Sequence, residues 1–310
     1  MPPRVTLRSL FSLSAMALGL VALNSTAAEP GATGEKITVP GLNYTMVKAP
    51  AGVAVMGHGD ENSKSDESPA TRVKITQPFW IGVTELTIPQ WRHFVETTGY
   101  ITEAERGNVG LNLLKEKAGP KHVGLSWRNP GFAQDDTHPV VGISWQDAMQ
   151  FCRWLTEREQ TAGRLPNGYV FTLPTEAQWE YACRAGGNDE LPNVQEYYWP
   201  APSLPTHPVA GRKPNAWGIY DMYGYPLEWI FDWYGKYPGG EVTDYAGPAS
   251  ANDRNVIRAH HEMRGQQSSR NRWSTTGDTQ NDFVGLRMVL AVPPQPVSPP
   301  APPRAPAAAH

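Results

Sequence analysis

Cysteine is nearly missing from this chain. Its 310 residues include two, Cys152 and Cys183, too few for a disulfide scaffold. Both stand on the apolar stripes of expected helices, where buried free thiols and a single bridge both remain open. A basic excess is missing too. The 27 Lys and Arg against 30 Asp and Glu leave a net charge of −3, so no field draws phosphate backbones and no nucleic-acid partner is expected. Long hydrophobic runs are also lacking: the apolar stretch from Leu10 to Leu23 has about 14 residues where a membrane span needs about 20. What is abundant is glycine and proline, 29 and 30 residues, which call for many turns and little regular structure. Eleven Trp and twelve Tyr supply core volume and aromatic pocket walls.

The two ends separate from the rest. Arg4 and Arg8, the short apolar run and the small residues Ser25 to Ala28 together read as a secretory signal peptide over 1–28, cleaved after Ala28. Export across the inner membrane to the periplasm follows, with no membrane span in the mature chain. From Pro293 to His310 the sequence is almost wholly Pro, Ala, Val and Ser, a composition that reads as an extended, disordered tail. One domain is expected over 29–292.

Within it, Met46 to Gly57 reads as short strands around a Pro-Ala-Gly turn, and Thr71 to Thr84 as two strands broken at Pro78. Thr87 caps a first helix with Pro89 in its opening turn, Trp91, Phe94 and Val95 on one face, and Gly99 as its stop. Ser144 and Asp147 form a capping box for a second helix with the stripe Trp145, Ala148, Met149 and Cys152. Thr175 and Gln178 open a third, with the stripe Trp179, Ala182 and Cys183 and a stop at Gly186. Few helices among many short strands make an α+β fold.

The motifs MVKAPAGVAVMG, FWIGVTELTIPQWRHFV and HPVVGISWQDAMQFCRWL, followed by LPTEAQWEYACRAG, GIYDMYGYPLEWIFDWY and FVGLRMV, resemble in order the signatures of the formylglycine-generating enzyme (sulfatase-modifying factor) family. The resemblance implies a compact C-type-lectin-like domain. It also implies an oxidation: family enzymes convert a substrate cysteine to formylglycine with O₂, using copper(I) on two cysteines five residues apart. Soft thiolates suit Cu(I). In the matching segment, NVIRAHHEMRGQQSSRNRW, those two positions carry Arg264 and Ser269. No copper is therefore expected through cysteine, and formylglycine generation is not expected.

The replacements are polar. His260, His261 and Glu262 are the candidate catalytic residues, and in a strand His260 and Glu262 share one face. Arg264, Arg270, Arg272, Ser269 and Trp273 are candidate substrate-binding residues, the guanidinium groups holding anions and the indole stacking on a flat ring. A metal on His260 and Glu262, and a solvated cluster without chemistry, remain alternatives. The family's structural calcium loop maps to Asp221, the carbonyls of Gly224 and Pro226, and Glu228, an all-oxygen set suited to one Ca²⁺ ion, with a turn cap and an ion pair as the bland alternative. Trp127, Trp199 and Trp217, in expected loops, read as pocket walls or loop plugs; Trp179, Trp229 and Trp233 read as packing.

Within the family the sequence is similar to the cysteine-free branch of siderophore (pyoverdine) maturation. That similarity implies a siderophore-precursor peptide as substrate and oxidation of its dihydro chromophore to the conjugated, fluorescent one. A deprotonated catechol-like ring reacts with O₂, so electrons pass to O₂ either directly from the ring or through a metal, and the redox cofactor is left open. The alternative is a non-catalytic, lectin-like binding module for a peptide, a glycan or a partner enzyme.

Overall fold

Residues 35–59, 66–107, 124–199, 206–224, 226–249, 254–258 and 268–295 are described in the computed structural model. The expected signal peptide, most of the tail, and His260, His261, Glu262 and Arg264 lie outside these residues.

Twelve strands, three α-helices and one 3₁₀ turn are defined among them. A five-stranded sheet has the order β1 (Lys36–Val39), β2 (Tyr44–Ala49), β5 (Phe79–Gly82), β12 (Val289–Ala291), β6 (Val170–Thr172). Its central strands read as near-continuous apolar runs because both faces are covered: all four residues of β5 and all three of β12 are buried. A three-stranded sheet, β3 (Gly52–Met56), β4 (Thr71–Ile75), β8 (Gly240–Thr243), keeps one wet face, and β4 alternates buried and exposed residues accordingly. The third sheet is β10 (Arg272–Thr276), β9 (Arg254–Arg258), β7 (Leu227–Trp233), β11 (Val284–Gly285).

The helices form where the caps put them. In α1 (Ile88–Thr98) the Gln90 side chain accepts the Thr87 N–H at 2.8 Å, and Gly99 closes the helix at φ 68°, a left-handed conformation that suits glycine. In α2 (Trp145–Thr161) Ser144 Oγ accepts from Asp147 N at 3.0 Å while Asp147 Oδ2 accepts from Ser144 N at 2.9 Å. Its buried stripe is Ala148, Phe151, Cys152 and Leu155; Trp145 and Met149 are only partly buried, because the stripe is rotated toward Phe151. Thr175 and Gln178 cap α3 (Glu176–Cys183) in the same reciprocal way. Cys152 and Cys183 are both buried and free, which settles the open question of a bridge. Trp91, Phe94, Phe151 and Trp154 make the aromatic contact between α1 and α2.

The third sheet and α3 position the site. Alternation along β7 places Glu228, Ile230 and Asp232 on one face, and the register sets Glu228 opposite Arg258 of β9, itself opposite Arg272 of β10. Two like charges facing each other across strands repel. They are tolerated because α3 packs on this sheet and offers Glu176, Trp179 and Glu180 at i, i+3 and i+4.

Candidate functional site

The β9–β10 hairpin holds the segment that corresponds to the family's cysteine-bearing stretch. Its base is a buried ion cluster. Glu176 Oε2 receives Arg272 Nη2 at 2.8 Å, and its Oε1 receives Arg272 Nε at 2.9 Å and the Tyr237 hydroxyl at 3.0 Å. Arg258 Nε lies 2.9 Å from that same Oε1, off the line of a hydrogen bond, so charge rather than a directed bond joins the two. Glu180 Oε2 accepts Arg258 Nη2 at 2.7 Å; its Oε1 accepts Gly57 N at 3.1 Å and pairs with Arg184. Gly57 stands at φ 62°, where a side chain would meet the Glu67 carbonyl, so glycine is required for that backbone N–H to reach Glu180. Arg272 also packs its guanidinium over Tyr234 and Tyr237, with centroid distances of 4.5 and 4.2 Å. Burial and the neighbouring Glu176 hold the Asp232 carboxyl well above its ordinary range. Asp232 thus sits beside Glu176, Arg258 and Arg272 in the same cluster, with its Oδ2 accepting the Glu176 N–H at 3.0 Å.

Above this base, the returning limb Ser268–Arg270 converges on Glu190. Ser268 Oγ donates to Glu190 Oε1 at 2.7 Å, Ser269 Oγ to the same oxygen at 2.9 Å, and Ser269 N to Oε2 at 2.9 Å. Arg270 Nη1 and the Tyr223 hydroxyl each add a bond at 3.1 Å. Burial pushes the Glu190 carboxyl up, but the Ser269 N–H, the serine hydroxyls and Arg184 together hold it below the usual range. It therefore stays ionised.

Ser269 is fully buried and also accepts Arg184 Nε at 2.7 Å. The position corresponding to the second family cysteine is thus filled by a hydroxyl locked between a guanidinium and a carboxylate. The two thiols the chain does possess are elsewhere: burial raises both, Cys152 to about 12, and protonated thiols are poor metal ligands. No thiolate pair for copper(I) is assembled among the described residues.

Two expected substrate contacts change role. Arg272 is committed to Glu176 and to the carbonyls of Asp66 and Gly235, and Ser269 is sealed in, so neither presents a polar group to a ligand. They read as site residues because a sequence window of arginines and serines looks solvated; the hairpin register turns them inward. Arg270 is half-buried, bonding Glu190, Gly57 O and Asn188 O. Trp273 is half-buried against the core beside Ile257 of β9. The catalytic candidates His260, His261 and Glu262, with Arg264, lie outside the described residues.

The residues of the expected calcium set are partly engaged with protein groups. Glu228 Oε1 accepts Arg287 Nη2 at 2.7 Å and Nε at 3.0 Å, and its Oε2 accepts Trp179 Nε1 at 2.7 Å. Of the two carboxylates, Asp221 alone keeps a buried oxygen, Oδ1, without a partner; its Oδ2 accepts Ala210 N at 2.6 Å. Burial raises Asp221 to about 6. No group of three or more His, Cys, Asp or Glu among the described residues is arranged to hold a metal. With Arg287 on Glu228 Oε1, the oxygens of the two carboxylates left to meet a cation are Asp221 Oδ1 and the second lone pair of Glu228 Oε2.

Sequence reasoning missed Glu190, Arg184, Glu180 and Arg258. Glu176 and Glu180 did carry a signal: they flank Trp179 on an apolar helix face, where an unpaired charge would be costly. Glu190, in a loop, carried none.

The architecture is thus a small α+β domain whose hairpin overlies a buried ion cluster. The profile of the sulfatase-modifying factor enzyme 1-like domain (FGE-sulfatase) matches residues 35–292, and the chain belongs to that family. It is 34% identical to the formylglycine-generating enzyme of Bos taurus over 253 residues, 67% of this chain and 63% of that one, so it spans just under two thirds of that relative. The formylglycine-generating enzyme of Streptomyces coelicolor is 29% identical, covering 85% of this chain and 93% of its own. A protein named inactive C-alpha-formylglycine-generating enzyme 2, from Bos taurus, is 26% identical across 80% of this chain and 88% of its own. Among solved structures, PvdO from Pseudomonas aeruginosa shares the fold with a TM-score of 0.63 at 22% identity, over 85% of this chain and 99% of that one. No helix among the described residues is long and apolar enough to cross a membrane.

Proposed function

We propose that this chain is an exported, periplasmic oxidase-like protein of siderophore maturation. Its substrate is a precursor peptide bearing a dihydro, catechol-like chromophore, and its product is the conjugated, fluorescent form, as in pyoverdine. The observation that carries this reading is Ser269: a buried hydroxyl between Arg184 and Glu190 keeps the hairpin of the family while removing the thiolate. The fold shared with PvdO supports the same direction.

In the reaction the dihydro ring loses two electrons and two protons, and O₂ takes up both pairs to give H₂O₂. Glu262, assisted by His260 or His261, removes a ring proton, which makes the catecholate electron-rich enough to react with O₂. Arg264 and Arg270 hold anionic groups of the substrate. The ionised Glu190 fixes the limb from which Arg270 projects. No step is routed through a copper–thiolate pair, since Arg264 and Ser269 stand at the two cysteine positions.

Purified protein mixed with the dihydro compound under air is expected to accelerate the absorbance of the conjugated chromophore, and Glu262→Ala to abolish the gain. A wild-type rate equal to that of buffer overturns the reading. One observation favours a second reading, a binding module without chemistry: the inactive relative named above spans most of this chain. Saturable binding of the dihydro compound with no change in its oxidation rate selects that alternative.

A further inference from the structure

A cavity of about 390 Å³, within the roughly 300–1,000 Å³ range of small-molecule sites, lies between α1 and the 127–136 loop. Its apolar walls include Ile88, Pro130 and Phe132. Its charge is contributed by Arg92, Arg128, Asp135 and Asp136. Not all of that charge is available. Asp136 takes Arg92 at 2.8 Å, and Asp135 Oδ1 accepts Thr137 N at 2.8 Å and the Thr137 hydroxyl. Both lining carboxylates are thus already supplied with donors.

Arg128 differs. Its guanidinium lies 4.3 Å over the buried indole of Trp127, and its Nε donates to Glu105 Oε1 at 2.7 Å. Glu105 is itself held: Oε2 accepts Trp127 Nε1 at 3.2 Å, Thr102 N at 3.0 Å and Thr102 Oγ1 at 2.9 Å. Burial pushes the Glu105 carboxyl up, but those bonds with that from Arg128 hold it below the ordinary value, so the pair stays ionised. The guanidinium is fixed by one face and one edge. Its two terminal nitrogens have no hydrogen-bond partner among the described residues. A planar fork immobilised beforehand, with its outer edge unused, loses little entropy when it binds a carboxylate bidentately.

We infer that this cavity is a second binding site, for a small carboxylate carried on a compact apolar body, with Arg128 as its anchor. It goes beyond the oxidation reading, and neither stands or falls with the other.

Isothermal titration of the full chain with 3-phenylpropionate tests it, with 3-phenylpropionamide as the uncharged counterpart. The acid is expected to bind, and the amide at least about tenfold more weakly, as loss of a charge-assisted bond requires. Arg128→Gln is expected to weaken the acid by a similar factor, and Arg128→Lys not to restore it. Ala133→Trp, on an exposed rim position, fills the cavity without touching a charge and also abolishes binding. Equal affinity for acid and amide, unchanged binding by Arg128→Gln, or no binding of the acid at roughly 10 mM overturns the inference.

Discussion

Glu176→Ala is expected to destabilise the fold by about 3–5 kcal/mol, the usual cost of leaving buried charges without their partner. Arg272 loses two hydrogen bonds and Arg258 one of its two neighbouring negative charges, both arginines more than nine-tenths buried and facing each other across the β9–β10 ladder. Water cannot reach either group to compensate. A melting temperature lowered by on the order of 10 °C is the expected reading for a domain of this size. Glu176→Gln keeps the shape but not the charge and should lose most of the same stability. If Glu176→Gln melts like the wild type, hydrogen bonding rather than charge balance holds the cluster.

Arg287→Met is expected to be as damaging, with a pH signature of its own. Arg287 neutralises Glu228 at 2.7 Å and lies 3.6 Å from Glu85, both fully buried. Burial, then the neighbouring Asp221, already hold Glu85 well above the usual carboxylate value of 4.5. Without the guanidinium, the folded state must bind protons on these carboxylates that the unfolded chain releases. Folding then takes up protons above pH 4.5, so stability falls as pH rises. The variant's deficit in denaturant unfolding should be smaller at pH 5 than at pH 8. Asp221, raised from 3.8 to about 6, contributes the same sign in the wild type: stability is lost as pH rises across that window. A deficit independent of pH would show that Arg287 acts through its bonds to the carbonyls of Gly82 and Tyr220 instead.

The helices were legible because their ends are chemical: Ser144 with Asp147 and Thr175 with Gln178 satisfy reciprocal backbone and side-chain donors, and Gln90 accepts the Thr87 N–H. The strands on either side of Pro78 followed from alternation and a missing N–H. The site was legible only in outline. Motif order located the hairpin, and the residue types at 264 and 269 removed the thiolates. What the sequence did not carry was the inside of the hairpin. Arginine and glutamate read as surface residues unless their partners are known, and the partners of Arg258 and Arg272 lie some eighty or more positions away on α3. Glu228 likewise read as a calcium ligand because its partner, Arg287, sits on a separate strand-bounded segment.

On the proposed reading, a chain with Arg264 and Ser269 at the two cysteine positions of the family oxidises its substrate without copper. Dissolved oxygen, followed during incubation with the dihydro chromophore after the protein has been stripped by a copper(I) chelator, measures this most directly. Oxygen uptake above the buffer rate, undiminished by chelation, is the predicted trace. Uptake that vanishes with the chelator, or never exceeds that of buffer, would contradict it.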